Sequence, residues 1–153
     1  MNATPDAPLR YNEDGNVHLD FHGATNTTIE FIVSRYGVEA MHEIFRKVGR
    51  DVYQDIRRHL MAGDAEELVK HWRHFFEREG ADYSIAIEGD DIVLTVRRCT
   101  AWHHVRKIAG SVSPNFCDQT SITNTAMADG TPFAVETIVT GEGACRQTIR
   151  RRA

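Results

Sequence analysis

The hydrophobic period of this chain changes once, near Gly80, and that change limits the folds open to it. Before Gly80, apolar side chains return every three or four residues, the spacing of helices that bury one face. Ile29, Ile32, Val33 and Tyr36 predict a first helix, with Thr25 or Asn26 as its N-cap and Gly37 as its stop. Val38 to Met61 predicts one long amphipathic helix with a bend marked by Gly49. Gly63 ends it and Asp64 caps the next. Glu66 and Glu67 suit the positive N-terminal end of a third helix, Ala65 to Arg78, whose buried stripe is Leu68, Trp72, Phe75 and Phe76.

After Gly80 the apolar residues alternate. Tyr83, Ile85 and Ile87, a turn at Gly89-Asp90-Asp91, then Ile92, Leu94 and Val96 predict a hairpin. Thr100 to Ala109 predicts a short helix, and Pro114 opens a second helical segment running through Cys117 towards Met127. Phe133, Val135, Thr137 and Val139 predict a third strand, and Cys145, Gln147 and Ile149 a fourth, joined by a turn at Gly141 to Gly143. The fold class is therefore α+β, an N-terminal helical layer packed on a roughly four-stranded antiparallel sheet with short helices inserted. Residues 1–10 read as a disordered leader and residues 11–153 as one domain. Within it, the alternating Val17, Leu19 and Phe21 predict a short strand or extended arm ending at His22.

A net charge of -4, with Lys and Arg interspersed among acids, leaves no basic face for nucleic acid. Arg150, Arg151 and Arg152 read as a solvated tail. No apolar run approaches a membrane span, and the N-terminal residues lack the pattern of a signal peptide, so the expected location is the cytoplasm. Cys99, Cys117 and Cys145 are an odd number without a disulfide framework, and reduced thiols are expected.

These thiols are where chemistry is expected. Cys99 and His103 are four residues apart at the entry of one helix, so both can project from one face. They suit either a nucleophile with its base or two ligands of a zinc ion, and Cys99 equally suits a small buried apolar position. Cys117 precedes Asp118 at a helix start, where backbone N–H groups favour a thiolate. Asp118 can orient a substrate amine or simply serve the helix end. Cys145 begins a strand and faces either the core or a cavity between sheet and helices. His18 and His22 lie on the early extended segment, where either can line a pocket. His42 and His59, among charged helix positions, read as solvated.

Three segments carry a family resemblance: Arg97-Arg98-Cys99, Asn115-Phe116-Cys117-Asp118, and Glu136-Thr137 with Thr140-Gly141-Glu142-Gly143-Ala144-Cys145. With Ser34 to Ala40 in the helical half, they resemble the L-2-amino-thiazoline-4-carboxylic acid hydrolase family. The chain departs from that pattern at Thr100, where the family often has proline, and at Arg146 to Ile149, where it usually has aromatic residues. The resemblance implies a fold related to vinyl-reductase-like sensor domains, haem-nitric-oxide-binding domains and vesicle-tethering subunits, with a pocket between helices and sheet. It also implies hydrolytic opening of a small nitrogen heterocycle at a cyclic amidine or amide C–N bond. In that reading Cys117 is the nucleophile, His103 and Asp118 transfer protons, and Cys99, Cys145, His22 and Trp102 line the substrate pocket. The partner is a small polar heterocycle, with no cofactor required and self-association open. The alternative is a sensor-like module without catalysis, binding a small molecule or holding zinc on Cys99, Cys117, Cys145 and His103.

Overall fold

The computed structural model describes residues 18–153, so the leader and the first part of the expected arm lie outside the described residues. Six α-helices and four strands follow in the order α1 (Asp20–Tyr36), α2 (Val38–Lys47), α3 (Gln54–Met61), α4 (Glu66–Arg78), β1 (Asp82–Glu88), β2 (Asp91–Arg98), α5 (Thr100–Ala109), α6 (Asp118–Ala128), β3 (Phe133–Gly141) and β4 (Ala144–Arg151). The expected α+β class is what the chain adopts, with an antiparallel sheet ordered β1-β2-β4-β3.

Two helical boundaries differ from expectation. The first helix begins at Asp20, ahead of Thr25, so Phe21 and His22 belong to a helix and not to an extended arm. Asp20 suits the positive end of that helix. Asn26 is buried inside it and caps nothing there; its Oδ1 accepts the backbone N–H of Ser113, tying α1 to the loop before α6. The long helix expected from Val38 to Met61 is broken by a π-helical turn, Val48–Val52, and by Tyr53, whose backbone leaves the helical region. Gly49 sits against α6 so closely that a Cβ there would lie 2.5 Å from the Thr123 carbonyl oxygen. The bend is thus a packing contact between distant segments.

Strand register sets the inward face of the sheet. Val96 pairs with Cys145 and Cys145 with Val139; Leu94 pairs with Gln147 and Gln147 with Thr137; Ile92 pairs with Ile149 and Ile149 with Val135. One core lies beneath these rows, where Leu60, Leu68, Trp72, Phe76 and Met127 meet Leu94 and Ile149. A second core lies among the helices, built on Ile29, Met41, Phe45, Ala101, Val105 and Phe116. Each fully buried large apolar side chain contributes roughly 1.5–3 kcal/mol relative to exposure. Cys99 packs against both cores, Cys145 against the first and Cys117 against the second. The three cysteines therefore mark the seam between the two cores.

The C-terminal arginines are exposed, as expected, but hydrogen-bonded to the body of the fold. Arg150 Nη2 donates to Asp91 at 2.8 Å, Arg151 Nη2 to the Gly63 carbonyl at 2.9 Å, and Arg152 Nε to the Phe133 carbonyl at 2.8 Å. Arg151 also lies 4.7 Å over the Phe133 ring. These contacts close β4 onto its neighbours at the sheet end.

Candidate functional site

A mostly apolar cavity of about 90 Å³ opens at the seam, and all three cysteines border it. Each arrives from a different element. Cys99 is the residue between β2 and α5, held by a 2.7 Å hydrogen bond from its N–H to the Gly143 carbonyl. Cys117 ends the turn that begins at Pro114 and leads into α6. Cys145 stands second in β4, between Val96 and Val139. All three are free thiols. His22 and Trp102 border the same cavity.

His103 and Asp118 do not border it. The His103 ring packs under the β3–β4 turn, 5.1 Å from the Trp102 ring centre. A Cβ at Gly143 would come within 2.7 Å of His103 Nε2, and Gly143 has φ 64°, so both space and backbone require glycine there. Asp118 points instead to the helical side, where its Oδ2 meets His42 Nε2 at 2.8 Å and accepts from Asn115 Nδ2 at 2.9 Å. His42, read as solvated in the sequence, is thus half-buried and partnered. His59, the other histidine so read, is exposed and meets Asp64 at 3.0 Å.

The pair that the sequence does not reveal is His22 with Glu79. His22 Nε2 lies 2.7 Å from Glu79 Oε1, and the carboxylate side chain is only 1% exposed. Glu79 caps the C-terminal end of α4, far from α1 in sequence, and no local spacing links the two. The pair puts an oriented imidazole at the wall of the thiol cavity.

Burial raises all three thiols above their ordinary pKa, but unequally. Cys117 is pushed up to about 11 by burial first and then by Cys99, Cys145 and the Asp118 carboxylate. Its position before α6 brings no compensating contact: its backbone is already helical and its sulfur caps nothing. Cys99 is raised by burial too, but the backbone N–H groups of Trp102 and Ala101 oppose the shift. Its extended backbone (φ -79°, ψ 115°) sets the sulfur over the start of α5, near those donors although without a full capping bond. Cys145 is raised by burial, with the Gln147 amide 3.6 Å from its sulfur acting in the opposite direction.

Among the described residues, no group of three or more His, Cys, Asp or Glu side chains is arranged to hold a metal ion. Of the residues in the zinc alternative, Cys99, Cys117 and Cys145 border the cavity and His103 does not. Nor is any helix among the described residues long and apolar enough to cross a membrane.

Fold and site together define an α+β domain with a small cysteine-lined cavity at the seam of two cores. Among solved structures, the chain is similar to subunit 3 of a trafficking protein particle complex from Naegleria fowleri, determined covalently bound to palmitic acid. That likeness has a TM-score of 0.51 at 8% identity and covers 88% of this chain and 95% of the other, so it concerns the fold. No protein-family model matches the chain. No curated protein matches it. The α+β fold is therefore one that a solved trafficking-complex subunit shares, whereas the resemblance to the aminothiazoline-carboxylate hydrolases finds no matching family model.

Proposed function

We propose that the cavity is a site of cysteine chemistry, opening a small nitrogen heterocycle at a cyclic amidine or amide C–N bond. The observation that carries this reading is the convergence of three free thiols and of His22, which Glu79 holds, on one cavity. A volume near 90 Å³ suits a single small ring. Cys99 replaces Cys117 as the preferred nucleophile, because the backbone N–H groups of Trp102 and Ala101 at the start of α5 oppose the rise that burial imposes on its thiol, whereas nothing opposes it at Cys117. His22, oriented by Glu79 through Nε2, has Nδ1 left for proton exchange.

In this scheme the Cys99 sulfur bonds to the ring carbon while His22 holds the thiol proton. The C–N bond then breaks, and the departing nitrogen takes that proton. Water, deprotonated by His22, attacks the sulfur-bound carbon, and the thiolate leaves. His22 returns its proton to that thiolate, and the net change is addition of one water across the ring C–N bond, which gives the ring-opened product. Glu79 acts through His22 and is a positioning residue.

The test is incubation with a panel of small cyclic amidines and amides, with mass spectrometry reading the gain of one water. Cys99→Ser is expected to abolish turnover, and His22→Ala to lower it on the order of 10²- to 10⁴-fold. Turnover that persists unchanged in Cys99→Ser rules out this nucleophile. No turnover of any ring by the wild type favours a binding module without catalysis.

A second reading, a subunit of a protein assembly, is favoured by the exposed Phe31 and Tyr36 on α1. The similar fold also belongs to a subunit of a trafficking complex. Light scattering that finds a stable oligomer, dispersed by Phe31→Asp, supports it; a monomer at all concentrations removes self-association through α1.

A further inference from the structure

A second cavity, of about 150 Å³, adjoins the thiol cavity and shares Phe75, Phe76, Gln119, Thr120 and Gln147 with it. Its far end is formed by Tyr53, His71, Trp72 and Asn124. Two properties of these adjoining cavities bear on what they hold. Among the described residues, no Lys, Arg, Asp or Glu borders either cavity, and His22, which borders the thiol cavity, is already engaged by Glu79. Burial holds His71 towards its neutral form. An anionic ligand would thus be desolvated with no counter-charge to receive it, which is heavily unfavourable. The second cavity does offer an uncharged lining: the aromatic residues Tyr53, Trp72 and Phe75 border it together with Asn124 and Gln147, whose amides bond to each other.

We infer that the two cavities form one site for an elongated, uncharged ligand, with a small electrophilic head among the cysteines and an aryl- or amide-bearing tail between Tyr53, Trp72 and Asn124. This rests on the cysteine reading above and deepens it. It sets the preferred substrate apart from ring carboxylates: a carboxylate on the heterocycle would meet no Lys or Arg among the described lining residues.

Iodoacetamide and iodoacetate test the charge requirement, since they deliver the same carbon with and without an anionic group. In each, the thiolate sulfur displaces iodide. Alkylation is summed over Cys99, Cys117 and Cys145 by peptide mass spectrometry, with glutathione as reference. The amide-to-acetate rate ratio is expected to exceed that of glutathione at least tenfold. N-phenyl iodoacetamide tests the tail, with an expected gain of about tenfold over iodoacetamide relative to glutathione. That gain is expected to disappear in His71→Trp, which fills the second cavity.

Equal protein and glutathione ratios overturn the inference, as does failure of all neutral reagents to enter. A phenyl gain untouched in folded His71→Trp overturns the tail assignment. If that variant does not fold, the wild-type phenyl gain decides. Because selectivity is summed over the three thiols, it remains readable when Cys99 is not the reactive one, an outcome that sinks only the choice of nucleophile.

Discussion

A thiol at the start of a helix is ordinarily made more acidic by the backbone N–H groups there, and Cys117 reverses that rule. The helix end helps only when the sulfur faces the free donors. At Cys117 the backbone is already helical, the side chain is turned into an apolar seam, and Asp118 adds a neighbouring negative charge. Folding therefore raises its pKa from 9.0 to about 11. The sign follows directly: between those values the folded state holds a proton that the unfolded state releases. The stabilisation is complete below about pH 9 and lost as pH rises through about 11. The melting temperature of the wild type is expected to fall across this window, and Cys117→Ala to fall less steeply. Parallel slopes in thermal melts would show that Cys117 titrates alike in both states. Cys99 calls for a different measurement. Its competing N–H contacts predict that its alkylation by iodoacetamide outpaces that of Cys117 at neutral pH, which peptide-resolved labelling measures.

At the scale of elements, the break inside the second predicted helix has a single cause visible in contacts. Gly49 presses on the Thr123 carbonyl and on Ala126 Cβ, which a Cβ would approach to 2.9 Å. The obstacles are backbone and a short side chain on α6, and neither can swing away. Gly49→Ala would gain helix propensity in isolation, yet the clash dominates. The expected result is destabilisation by about 1–3 kcal/mol, read as a lower urea midpoint with an unchanged slope. A stabilised variant would mean that the π-helical turn relaxes freely. The same contact explains why periodicity placed the helix but not its interruption: apolar spacing reports which face is buried, not which backbone lies against it. The strands were more legible, because alternation and turn residues are local. β2 spans Asp91–Arg98 around the expected Ile92 to Val96, and α5 occupies the expected Thr100 to Ala109. Likewise the cavity-lining cysteines stood out by residue type, whereas the His22–Glu79 pair joins α1 to the end of α4 and has no signature in either segment.

At the scale of the whole molecule, the sheet and the helical layer are joined by a polar contact inside the apolar core. Asn124 on α6 is 5% exposed and Gln147 on β4 is 2% exposed. Asn124 Nδ2 donates to Gln147 Oε1 at 2.8 Å and to Thr137 Oγ1 at 3.0 Å, and Gln147 Nε2 reaches the Cys145 sulfur. One amide thus ties α6 to both strands of the β3–β4 hairpin, while the other continues to the cavity. A core of leucines would be as stable without such a pair, but it would not fix how far α6 slides along the sheet or where Cys145 points. Removing one partner leaves the other desolvated and unpaired, which costs about 1–3 kcal/mol beyond the packing lost. Asn124→Leu and Gln147→Leu are each expected to destabilise by that order. The double variant should lose less than the two single effects together, with a coupling of about 0.5–3 kcal/mol in a denaturant-based cycle. Additive losses would mean that the amides contribute only as volume, and the cavity's polar end would then owe nothing to the junction between layers. A measured coupling, together with faster loss of thiol selectivity in Gln147→Leu than in Asn124→Leu, would place the same hydrogen bonds in both tasks: Gln147 touches the sulfur directly, and Asn124 acts on it only through Gln147.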